Sequence, residues 1–227
     1  MHTFDDIWAI AADRKGGDAA LEALIAPYRP KTPAEIAATP DDRILSIMTR
    51  HAFQAGFSWK VIEAKWPGFE AAFDGFALNA CAYPSEEKFD ALLKDTRIIR
   101  NARKILSVQA NARLLLELAR EKGSAATVFA DWPDSDFAGL LDVILTRATG
   151  LGGESAMRFL RTLGKPSFIT SRDVTAALIR EGVLTKPPSG KRDLAAVQAA
   201  FNGWAAESGR DLTAISRVLS LSIDAGM

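Results

Sequence analysis

At 227 residues the chain is long enough for one large domain or two small, interleaved ones, with ample apolar material for a core. Its 28 basic and 28 acidic side chains cancel, so a nucleic-acid partner would have to be met by a locally basic face rather than by the field of the whole molecule. A single cysteine, Cys81, excludes an intramolecular disulfide framework, and the lack of a basic-then-apolar start or an apolar run of membrane-spanning length points to the cytoplasm and away from membranes. Alanine, leucine, arginine and glutamate dominate while alternating β-branched runs are scarce, so the expected fold class is all-α. No internal repeat, charge block or low-complexity tract interrupts the chain.

Residues 1–25 read as an amphipathic helix broken at Gly16-Gly17, with Phe4, Ile7, Trp8, Ile10 and Ala11 apolar before the break and Leu21, Leu24 and Ile25 after it. Pro27, Pro30 and Pro33 force a loop, and Thr32 or Thr39 can cap the helices beyond it. Asp41 to Lys65 reads as a pair of helices around the segment His51-Ala-Phe-Gln-Ala-Gly-Phe-Ser-Trp59. Trp66 to Phe76 is a helix ending at a glycine turn, and Ser85 is placed to cap the next helix, with Glu86 and Glu87 against its dipole. Further on, Ile98, Ala102, Ile105, Val108, Ala112 and Leu115 form one apolar stripe, while Arg100, Arg103 and Lys104 share another face that suits phosphates or plain solvent. Gly123-Ser124 separates that helix from the turn at Phe129 to Pro133, after which Ser135 or Asp136 begins an apolar helix.

The most informative stretch runs from Thr146 to Leu178. A helix ending near Leu145 meets a tight turn at Gly150-Leu151-Gly152-Gly153, where glycine accepts positive φ and lets another backbone approach. Glu154 and Ser155 open a second helix, whose free N–H groups and dipole suit an anion such as a DNA phosphate. Gly164 and Pro166 end it, and Ser171 or Asp173 can cap the next. Arg147, Arg158, Arg161, Lys165 and Arg172 recur around the turn and, with Arg100, Arg103 and Lys104, suggest one positive surface. Lys186 to Gly190 is a loop, and beyond it lie two core-facing helices around Asp193–Glu207 and Leu212–Ile223.

The order helix, Gly-x-Gly turn, helix, loop, Asp, helix resembles the helix-hairpin-helix DNA glycosylase superfamily, with the hairpin at about 140–180 in a single glycosylase-like region, 1–227, or in two interleaved subdomains. That resemblance implies that Gly150, Gly152 and Gly153 grip a phosphate and that Asp173 assists breakage of the N-glycosidic bond; a helix cap is the plain alternative for Asp173. Gln54-Ala55-Gly56-x-Ser58-Trp59, with Ile98-Ile99-Arg100-x-x-x-Lys104-Ile105 and Asn111-Ala112-Arg113 after it, resembles more narrowly the DNA-3-methyladenine glycosylase I family. The likeness spans roughly the middle three-quarters of the chain.

What the narrower resemblance implies is a monofunctional glycosylase that flips an alkylated purine from double-stranded DNA into a pocket lined by His51, Phe53, Gln54, Ser58 and Trp59. Trp59 and Phe53 would stack while Gln54, Ser58 and His51 would meet the base edge; the alternative is that Phe53, Phe57 and Trp59 are simply core. Two departures from the family stand out. Its members usually carry a Glu three residues before the Gln-Ala-Gly motif, where this chain has His51, and they commonly hold a structural zinc, for which Cys81, His2 and His51 are too few ligands. Neither a metal nor a cofactor is therefore expected, and a monomer is the default. A DNA-binding module of the same fold without base excision is the alternative, and a protein-interaction scaffold is a third reading.

Overall fold

The structure, a computed structural model, describes residues 1–224. Among them every regular element is helical, in the order α1 (Phe4–Lys15), α2 (Asp18–Ile25), α3 (Pro33–Ala37), α4 (Asp41–Gln54), α5 (Trp59–Ala72), α6 (Leu78–Ala82), α7 (Glu86–Lys94), α8 (Ala102–Lys122), α9 (Ala125–Asp131), α10 (Phe137–Arg147), α11 (Gly153–Leu163), α12 (Arg172–Arg180), α13 (Lys191–Ser208) and α14 (Leu212–Leu221), with short 3-10 turns between some of them. The local punctuation is chemical. Thr3 caps α1 in a reciprocal box with Asp6, and Gly16 ends that helix in the left-handed conformation at φ 93°. Thr32, not Thr39, caps α3 by the same device with Glu35, and Ser85 and Ser124 cap α7 and α9.

The chain folds as two compact units that interleave in sequence. The first comprises Met1–Lys31, Pro133–Asp142 and the chain from Gly164 onward. Phe137, Phe168, Phe201 and Trp204 run through its core as a series of ring contacts with centroids 4.8 to 5.7 Å apart. Two buried charges are compensated there. Lys165, only 3% exposed, pairs with Asp134 at 2.8 Å, and the buried carboxylate of Glu181 accepts the backbone amide of His2 and the side chain of Arg180.

The second unit comprises Thr32–Trp132 and Val143–Leu163. Its centre is α8, whose residues Ile105, Val108, Ala112 and Leu115 are buried as the expected stripe, packed against α4, which buries Ile44, Leu45, Met48 and Ala52. Asp41 at the start of α4 accepts the amides of Ala125 and Ala126, so one carboxylate closes the open end of α9. Asn111, fully buried on α8, receives the amide of Thr149 at 2.8 Å and donates to the carbonyl of the same residue at 3.0 Å. This two-point hold fixes the chain just before the glycine turn. Replacing Asn111 with Ala leaves both backbone groups of Thr149 without a partner and is expected to cost about 2 kcal/mol of unfolding free energy. Urea denaturation checks it, as a lower midpoint at unchanged slope.

Candidate functional site

The site begins where α4 ends. A helix C-terminus leaves carbonyls without intrahelical donors, and here the ammonium of Lys104, reaching from α8, donates to the carbonyls of Ala52 and, at 2.8 Å, Ala55. Burial and the neighbouring Arg103 push the Lys104 pKa down. Gly56 then turns the chain at φ 82°, a left-handed conformation that a side chain would strain, and α5 starts at Trp59.

On the last turn of α4, His51 is buried and its Nε2 lies 2.8 Å from the hydroxyl of Thr162 on α11. Desolvation, reinforced by the cations of Arg158 and Arg50, lowers its pKa to about 4, so the ring is neutral at neutral pH. Gln54, also buried, donates through Nε2 to Glu63 at 3.0 Å, while its carbonyl oxygen has no partner. Trp59 is half exposed, and the guanidinium carbon of Arg158 lies 5.4 Å from the centre of its ring. Arg158 in turn donates through Nε to Glu154 at 2.8 Å and through a second nitrogen to the same oxygen. His51, Gln54, Ala55, Trp59, Glu154, Ser155 and Arg158 enclose an open cavity of about 150 Å³. Sites for drug-sized ligands run to roughly 300–1,000 Å³, so this one suits one small flat heterocycle.

Several residues expected at the site stand elsewhere. Phe53 is fully buried edge-to-face on Phe69, with centroids 4.7 Å apart, and offers no open face to a base. Ser58 is exposed at the start of α5, where its side chain makes no capping bond, and does not line the cavity. Lys104 is engaged with the α4 carbonyls, which removes it from the expected phosphate-facing set. Arg100 and Arg103 remain exposed, with no protein partner among the described residues. The expected positive surface is largely neutralised within each unit, since Arg147 pairs with Glu117, Arg158 with Glu154 and Lys165 with Asp134.

In the glycine turn, Gly150 sits at φ 80°, a left-handed conformation that favours glycine, and a Cβ there would come a tight 3.2 Å from the Ser107 hydroxyl. Gly153 also has positive φ, at 44°, and Gly152 is exposed with open space around it, beside the free amides that begin α11. Asp173 belongs to the other unit, half-buried in the first turn of α12. Ser171, not Asp173, caps that helix, and the Asp173 carboxylate has no protein partner among the described residues. Thr162 and Glu63 escaped the reading of the sequence. The spacing of Glu154, Arg158 and Thr162, every fourth residue on one helix, is the signal that would have placed all three on one face. Among the described residues no group of three or more His, Cys, Asp or Glu is arranged to hold a metal ion, and no helix is long and apolar enough to cross a membrane.

Residues 36–136 match the methyladenine glycosylase family model. The matched span carries His51, Gln54 and Trp59 and ends before the glycine turn and α11. Three solved structures of 3-methyladenine DNA glycosylase I are similar to this chain. A variant from Staphylococcus aureus is 18% identical, covering 55% of this chain and 77% of its own with a TM-score of 0.47. A second, in complex with 3-methyladenine, is 18% identical over 56% of this chain and 80% of its own, with a TM-score of 0.47. A third is 22% identical over 60% and 81%, with a TM-score of 0.46.

The state of His51 is directly measurable. Its folded pKa of about 4 lies below the ordinary 6.5, so between those values the unfolded chain takes up a proton that the folded protein refuses. Stability from this group is therefore complete above about pH 6.5 and is lost as the pH falls toward 4, by up to about 3 kcal/mol. In a proton NMR titration, the histidine signal that disappears in His51→Gln is expected to stay unshifted down to about pH 5, and that variant should flatten the acid loss of stability.

Proposed function

We propose that the chain excises an alkylated purine such as 3-methyladenine from double-stranded DNA, acting as a monomer on a base extruded into the cavity beside Trp59. The observation that carries this reading is an accessible indole set at the wall of a small polar cavity, within the matched segment. The extruded base stacks on Trp59, and the unpaired carbonyl of Gln54 and the neutral imidazole of His51 face its edge. The amides of the Gly150 to Gly153 turn, together with Arg100 and Arg103, take phosphates of the duplex.

Alkylation at N3 gives the base a positive charge, so it departs readily with the electron pair of its bond to the sugar. Water then adds to the sugar carbon and gives up a proton, and the Asp173 carboxylate stabilises the oxocarbenium-like state in between. Incubation with randomly methylated duplex and chromatography of the released bases is expected to yield free 3-methyladenine. Trp59→Ala should lower the release about tenfold or more, and Asp173→Asn about tenfold. Salt-sensitive duplex binding with no base released from any lesion would replace this reading with that of a DNA-binding module, and unchanged release by Asp173→Asn would remove that residue from the mechanism.

A further inference from the structure

The cavity already holds a planar cation, and it belongs to the protein. The Arg158 guanidinium lies over the face of Trp59 and directs two N–H groups of its edge to one oxygen of Glu154. A purine alkylated at N3 has the same three attributes: a flat face, a positive charge, and N–H donors on the edge. The carboxylate is half exposed at the cavity, and its second oxygen has no protein partner. No other acidic side chain lines the cavity. Position 51 carries an imidazole turned to Thr162 where the family usually has a Glu.

Resting on the glycosylase reading, we propose that Glu154 is the specificity-determining carboxylate of this pocket, that it accepts the amino edge of a cationic purine, and that Arg158 is an internal stand-in which the purine displaces from Trp59. The geometry explains how α11 substitutes for what α4 lacks. Glu154, Arg158 and Thr162 lie on one face of α11, so the residue that holds His51 and the residue that supplies the negative charge come from the same helix. Exchange of one planar cation for another keeps Glu154 paired and Trp59 stacked throughout, so neither charge is stranded in the process.

The two variants act in opposite directions, which separates the proposal from simple loss of folding. The probe is 3,9-dimethyladeninium, a permanently cationic N3-alkylated adenine without a sugar, monitored by quenching of tryptophan fluorescence and assigned with Trp59→Phe; 9-methyladenine is the neutral control. Arg158→Met is expected to tighten binding of the cation about tenfold and Glu154→Gln to weaken it about tenfold, with little change for the neutral base. Unchanged cation binding in Glu154→Gln, weaker binding in Arg158→Met, or no binding in any variant would overturn the proposal. The methylated-duplex assay keeps the two readings apart. Cation binding that depends on Glu154 without base release leaves the site standing and removes the enzyme reading, whereas full base release by Glu154→Gln leaves the enzyme reading and removes Glu154.

Discussion

The C-terminus of α4 is held by the ammonium of Lys104, which donates to the carbonyls of Ala52 and Ala55, and that hold sets the direction in which the chain leaves the helix toward Trp59. His51 and Gln54 sit on the turn so fixed, and Gly56 reverses the chain immediately after it. A lysine buried for this purpose loses hydration, and its lowered pKa is the sign of that cost. The pocket is thus built on a helix end whose unsatisfied groups are met from a neighbouring helix rather than by water.

A second constraint comes from α8 onto the glycine turn. Asn111 holds Thr149 by both of its backbone groups, and Gly150, at φ 80°, packs close to Ser107 and Ala52. The turn is therefore anchored to α8 and packs close to α4, and α11 departs from it with Glu154, Arg158 and Thr162 on one face. One helix then fixes the imidazole of His51, places a cation on Trp59 and supplies the carboxylate that pairs with it. Electrostatics are set by this packing. Desolvation, with the positive charges of Arg158 and Arg50, keeps the His51 imidazole neutral at neutral pH.

The balanced composition of the chain reappears in three dimensions as local pairing. Arg147, Arg158 and Lys165, all near the turn in sequence, each have an acidic partner, and Lys104 is turned inward. Arg100 and Arg103 stay exposed to solvent.

The sequence by itself determined where elements begin and end. The break at Gly16-Gly17, the caps at Thr32, Ser85 and Ser124, the buried stripe of α8 and the glycine turn all arise from preferences that act within a few residues. His51, Gln54 and Trp59, from the motif singled out in the sequence, line one cavity, whereas Phe53 and Ser58 do not. Only the tertiary structure decided between neighbours of like chemistry. Arg103 faces solvent while Lys104 turns inward to another helix; Phe53 is core while Trp59, six residues on, is open; Ser171 caps α12 and leaves Asp173 free. The role of Glu154 emerged only beside Trp59 and His51, which lie about a hundred residues away in sequence. The physical reason is that periodicity assigns a face to each helix, whereas what that face meets depends on which helix is packed against it, and that is settled only when the whole core closes.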